Sequence, residues 1–242
     1  MSRFTTYEKI QNGIASLAGF DPDAIHDDVW RTWRQLISDR LTYAWELETW
    51  PDICLVEERT VTDNGVDDYV PFTETNKSEM GEIFGIFSDD PITSSQAKQL
   101  DFFLESHGAS IPNGHTSVYV YYRKQKPEFT GYFIDANETY SAGSQIYDSA
   151  TGDFYTARLQ NAPTHDLSDN TRWERVQIPR IFQQYLIRGA TADYYRHNQE
   201  YERGRELSPL AEQALDHELI KYKIQQNQRK NYISNRQNLQ AF

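Results

Sequence analysis

The apolar positions of this chain keep helical spacing at both ends and strand-like spacing in the middle. Ile10, Ile14 and Leu17 form one helical stripe, and Gly19 supplies a stop. Thr5 and Glu8 have the spacing of a capping box, which predicts a helix start. "DPDAIHDD" then restarts the chain, with Pro22 and acids suited to a helix N-terminus. Val29, Trp33, Leu36, Ile37, Leu41, Ala44 and Leu47 follow at helical spacing until Pro51. Trp30, Trp33, Trp45 and Trp50 give this stretch its bulk, and large rings so spaced are expected in a core or a subunit interface.

From Cys54 the period changes. "CLVEERTV", "DYVPF", "GEIFGIFSDDP" and "SVYVYYRKQKP" are rich in β-branched and aromatic residues. Asn64-Gly65, Asp90-Pro91 and Asn113-Gly114 punctuate them as turns, so an antiparallel β region is expected. A further strand is expected through Gln99–Leu104. "YSAGSQIYDSATGDFYTA", from Tyr140 to Ala157, reads as a small β module within about 129–178. Pro179 then opens a helix with Ile181, Phe182, Tyr185, Leu186 and Ala190 facing inward. Gly204 and Ser208-Pro209 predict a break before a second helix, and residues 227–242 are too polar to build a core of their own.

The expected fold class is α+β. A helical bundle is drawn from residues 1–53 and 179–226, and an antiparallel β region, 54–128, is inserted between them. The small β module follows at 129–178, and an extended tail closes the chain at 227–242. The module is expected to project from a helical platform.

Composition adds an asymmetry. Net charge is −12, yet Lys221, Lys223, Arg229, Lys230 and Arg236 stand in 219–242 without any acidic residue. Removing those five positive charges leaves −17 for the rest. A basic tail on an acidic body suggests an acidic partner, with Tyr232, Ile233, Leu239 and Phe242 as apolar anchors. Cys54 is the only cysteine, which excludes an intrachain disulfide and suggests a buried thiol in a reducing cytoplasm. No signal-peptide pattern and no spanning apolar run is visible, so no membrane partner is expected.

Signals for chemistry are sparse. The six His form no metal-spaced pair. His165, Asp166 and Ser168 share a polar loop without a nucleophile-elbow turn. "DANETYSAG" from Asp135 alternates oxygen ligands but lacks the Gly and Glu of a calcium loop. There is no phosphate-cradling Gly loop. No catalytic residue, metal or cofactor is expected, and the acidic body does not suit DNA gripping, which depends on phosphate neutralisation.

The order of segments resembles a known family. "TTYEKIQNGIASLAGFDPDA", "YAWELETWPDICLVEERTV", "YVPF", "GEIFGIFSDDP", "VYVYYRKQKPEFT" and "IPRIFQQYLIRGATADYY" together resemble the head-to-tail connector, or adaptor, proteins of tailed bacteriophages. Within that order, the Gly/Tyr stretch with "TRWERVQIP" resembles small chitin-binding (type 3) modules, through Tyr140, Gly143, Ile146, Tyr147, Tyr155, Ala157 and Trp173. The usual tandem Trp pair of such modules is absent.

The first resemblance implies a structural virion protein assembled in the host cytoplasm. It would form a ring, commonly of twelve subunits, beneath the portal protein. Lys221 to Phe242 would be the portal-docking arm. The far face would meet a downstream neck or tail protein, and genomic DNA would pass through the lumen without sequence-specific binding. The second implies that Tyr140, Tyr147, Tyr155 and Trp173 touch glycan or a partner, and gives a carbohydrate-binding protein as the alternative. For that alternative, at least two of those rings should be exposed in one plane. The bland reading is that they form the module's own small core.

Overall fold

The structure is a computed structural model. It describes residues 3–63, 67–74, 77–135, 138–159, 162–163, 167–169 and 171–239, with side chains given as far as residue 225 at the C-terminal end. It is mixed α+β. The N-terminal part comprises β1 (Phe4–Thr5), α1 (Tyr7–Ala18), a short 3-10 turn (Pro22–Ala24) and α2 (Asp27–Glu46). Next come β2 (Cys54–Thr60), β3 (Thr62–Asp63), β4 (Asp68–Pro71), β5 (Met80–Phe87), β6 (Gln99–Leu100), β7 (Phe103–Leu104), β8 (Gly108–Ile111) and β9 (Ser117–Lys124). A further run holds β10 (Tyr132–Phe133), β11 (Thr139–Tyr140), β12 (Gln145–Asp148), β13 (Asp153–Ala157), β14 (Ala162–Pro163), β15 (Trp173–Arg175) and β16 (Ile178–Pro179). The chain ends in a 3-10 turn (Arg180–Phe182), α3 (Gln183–His197) and α4 (Tyr201–Leu239). It divides into two compact units, one of residues 49–126 and one of residues 1–48 with 127–242.

The discontinuous unit is organised on α3, which packs on α1, α2 and α4. Its buried positions include Tyr185, Leu186, Ala190, Thr191, Ala192 and Tyr194, so it is apolar on nearly every side, as a central helix must be. The start of α1 is one residue later than the capping-box spacing predicts. Thr6, not Thr5, is the N-cap, and its side chain accepts from Lys9 N–H, while Thr5 pairs with Ile178 in the β1–β16 ladder. Gly19 ends α1 at φ 77, the left-handed conformation that favours glycine.

The register of α3 on α4 is antiparallel. Arg188 donates to Leu210 O, and the Cα of Gly204 sits so close to α3 that a Cβ there would lie 2.8 Å from Ala192 O. Counting back from these contacts sets Leu215 beside Gln183, where α3 begins. Leu215 is also the last buried residue of α4 among those with described side chains. The expected break at 204–209 is absent. Gly204 is used for close approach, and Pro209 lies on the exposed side, where the Arg205 carbonyl that loses its N–H donor can turn to water. Residues 227–239 have helical backbone where an extended tail is expected.

The small β module belongs to this same unit. Its sheet runs β10-β12-β13-β15, with β10 parallel to β12 and the other pairs antiparallel. It is joined to α1 and α2 by rings. Tyr7 meets Phe154 edge-on at 4.9 Å and Phe129 at 5.3 Å, while Trp30 meets Tyr147 at 5.6 Å. A free-standing insertion is therefore not what forms: Phe129, Tyr147 and Phe154 pack into the core of the helices.

The unit of residues 49–126 is a barrel-like pair of four-stranded sheets that share one core. Its strands order as β2-β9-β5-β6 and β3-β4-β8-β7. β2 runs through Val61 into β3, and β6 runs through Asp101 and Phe102 into β7, so each edge of one sheet continues into an edge of the other. The outer side of β2 has no strand partner among the described residues; there the Thr60 N–H goes to Glu74 and the Glu58 carbonyl accepts from Lys77, which covers the edge with side chains. β9 shows the alternation that builds the unit, with Val118, Val120 and Tyr122 inside and the residues between them facing out. The strand expected through Gln99–Leu104 is the bent β6–β7 segment.

Candidate functional site

The four rings proposed for glycan contact are not displayed. Trp173, Tyr155 and Ile146 form the module's core, and Tyr147 is buried beside Trp30. Tyr140, half-buried, packs edge-on against Trp173 at 6.0 Å. The physical reason is size: a sheet this small has few side chains with which to exclude water, and it uses its largest ones. Burial pushes the Tyr147 hydroxyl up to about 12, and the nearby carboxylates of Glu8, Asp153 and Asp148 add to the effect. The exposed aromatics of the module are instead Tyr132 (73%) and Phe133 (55%) on β10. Phe133 stacks on Trp30 at 5.7 Å, and the Arg34 guanidinium lies 4.6 Å from the centre of that indole. Alternation predicts that two adjacent strand residues face opposite ways, so the exposure of both was not readable from the pattern.

Trp30, Trp33, Trp45 and Trp50 are all buried. Trp30 Nε1 donates to Gln11 at 3.2 Å, and Trp33 is flanked by Phe20 and Tyr194. They serve as core, not as an open ligand box.

The charged centre of the helical unit is Arg40 on α2. Its Nε and Nη2 donate to Asp193 at 2.6 and 2.9 Å, and its Nη1 donates to Glu212 at 2.9 Å. The hydrogen bonds to Asp193 raise the guanidinium pKa beyond its ordinary value despite partial burial. A second charged group lies inside the barrel. Arg59, fully buried, donates to Ser78 O and to Tyr122 Oη at 2.7 Å, and Tyr122 Oη donates to Glu57 at 2.6 Å. Burial, with the bond to Glu57, raises the Tyr122 pKa. In the module, Asp153 is buried, accepts from Tyr7 N–H and pairs with Arg175; burial holds its carboxyl above the usual range. Each group is bonded within the fold, although the Nε and Nη1 of Arg59 are buried without a partner among the described residues. Among the described residues, no three His, Cys, Asp or Glu side chains are grouped to hold a metal ion. His165, Asp166 and part of the "DANETYSAG" stretch lie outside the described residues. Cys54 is half-buried on β2.

Lys221 and Lys223 are exposed on α4. Lys221 pairs with Glu218 one turn back at 2.6 Å. The side chains of Arg229, Lys230, Tyr232, Ile233, Arg236, Leu239 and Phe242 lie outside the description. Two exposed apolar pairs escaped sequence reasoning. Ile220 (57%) and Ile224 (51%) lie one turn apart on α4, and Tyr43 (54%) and Leu47 (37%) lie one turn apart at the end of α2. Leu47 shares the helical spacing of Trp33, Ile37, Leu41 and Ala44 yet is exposed, and its acidic company, Asp39, Glu46 and Glu48, is the signal that sets it apart. No described helix is long and apolar enough to cross a membrane. No protein-family profile and no curated protein matches the chain.

Proposed function

We propose that this chain is a structural virion protein, a head-to-tail adaptor that forms a ring under a portal and carries out no catalysis. In this reading helices from both chain ends stand side by side around a DNA channel as a bundle. The acidic body lets DNA slide past without gripping it. The basic end of α4 docks on the portal, and a downstream neck or tail protein binds the opposite face. The barrel-like unit and the module enlarge the subunit's contacts.

The observation that supports this reading best is α4. It is 39 residues long, while its partner α3 is 15. Past Leu215, no residue with a described side chain is buried. A helix of this composition is not stable on propensity alone and needs a packing partner along its free length. That free length carries all five basic residues of 219–242. The carbohydrate-binding alternative lacks such support, because Tyr147, Tyr155 and Trp173 are core.

The test is light scattering and sedimentation of the full chain, and of a chain ending at Ile220, each alone and with its candidate portal. The full chain is expected to join the portal as a ring and the shortened one to fail. Equal behaviour of the two chains would remove the docking role of α4.

A further inference from the structure

We infer that the exposed Ile220–Ile224 face of α4 docks on the Tyr43–Leu47 face of α2 in a second copy of this chain. The inference deepens the ring-forming reading. It rests on that reading for the repetition of the contact around a closed ring, while the contact itself stands on the surfaces described above.

The two faces match in both character and charge. On α4, Ile220 and Ile224 are neighbours one turn apart, and Lys221 and Lys223 project on either side of them. On α2, Tyr43 and Leu47 are likewise neighbours, with Asp39 and Glu46 exposed along one flank. Each pair leaves apolar side chains exposed among the described residues, although one side of the Tyr43 ring meets Tyr185. The α4 pair lies beyond the reach of α3, whose first residue, Gln183, stands beside Leu215.

Charge favours another copy as occupant. The end segment of α4 is positive by five and the rest of the chain is negative by 17, so each chain carries both halves of a complementary contact. The surfaces differ, so the contact is heterologous: every copy donates its α4 and receives its neighbour's. Lys221 is already bonded to Glu218 in its own helix, which leaves Lys223 as the first cation to meet Glu46 or Asp39.

The experiment uses the full chain and follows mass against protein concentration. The native chain is expected to self-associate, more weakly as salt rises. Ile220→Ser with Ile224→Ser should shift association to at least about tenfold higher concentration. Lys221→Glu with Lys223→Glu should weaken it too, and so should Asp39→Lys with Glu46→Lys. Mixing these two charge-reversed chains should restore association. All substituted side chains are exposed, and circular dichroism checks that each variant folds. A native chain that stays monomeric, or reversed chains that associate like the native one, would overturn the contact. Binding of single chains to the portal is measured separately. A monomer that binds the portal sinks the α2–α4 contact alone, and an associating chain that ignores the portal sinks the adaptor reading alone. If the Ile220/Ile224 variant loses the portal yet associates normally, the patch belongs to the portal and the inference fails.

Discussion

Arg40 joins three helices through one guanidinium, because Asp193 stands on α3 and Glu212 on α4. Removing it leaves Asp193 largely enclosed without its main partner. Arg40→Ala should therefore cost about 2 kcal/mol, less than a fully buried pair because Glu212 is half in water, and urea unfolding would measure it. Asp153 makes a different prediction. Its carboxyl is held above the ordinary range, so the folded chain binds that proton more tightly than the unfolded one. Its contribution is present at low pH and is lost as pH rises from the ordinary carboxyl value to the folded one. Melting temperature against pH should fall less across that window in Asp153→Asn; an unchanged slope would show that the carboxyl is not the cause. Trp173→Ala should cost about 3–5 kcal/mol if the ring is core, and chemical unfolding would reveal it.

At the scale of elements, helical periodicity located α1, α2 and α3, and β-branched alternation located β9; the strand expected through Gln99–Leu104 is two short strands, β6 and β7, with a bend between them. What escaped were features fixed by partners distant in sequence. Thr5 looked like a cap until β1 took it as a strand partner for Ile178. Gly204 and Pro209 looked like a break, but one is a close crossing and the other an exposed position in a continuous helix. The rings of the module were readable as rings, but the burial of Phe129, Tyr147 and Phe154 depends on α1 and α2, while Trp173 and Tyr155 are buried together on the small sheet itself. Gly204→Ala tests the crossing. Its methyl would meet the Ala192 carbonyl, and the strain should outweigh the gain in helix propensity, for a net loss of about 1–3 kcal/mol in urea unfolding. Ending the chain at Gln225 should change stability by less than about 0.5 kcal/mol, because none of the last ten retained residues is buried.

For the whole molecule, the two units make separate claims. The barrel-like unit has its own core of Val70, Ile86, Ile111, Val118, Val120 and Tyr122, drawn from both of its sheets. Residues 49–126 alone should therefore fold cooperatively, with dispersed amide resonances; a collapsed, undispersed spectrum would show that they depend on the rest. The joining of the two sheets was not legible, since it requires β2 to find β9 across more than fifty residues and the chain to turn between sheets at Val61 and Asp101–Phe102. Nor was the charge pattern of 219–242 enough to say what meets it. Sequence gave the sign, and only the mismatch in length between α3 and α4 made the free face visible.

The pairing of Cys54 with Arg123 has a kinetic consequence. For the helices, the barrel is one very long connection between α2 and β10, and α1 must find α3 across nearly the whole chain. Bringing distant segments together costs entropy that grows with the logarithm of the intervening length. Once β2 and β9 zip, the two ends of that connection stand side by side, and the search left to the helices is that of a much shorter chain. The barrel then acts on folding as a clasp. Weakening β2–β9 pairing should slow the appearance of helical signal after dilution from denaturant, even though no helical contact has been altered.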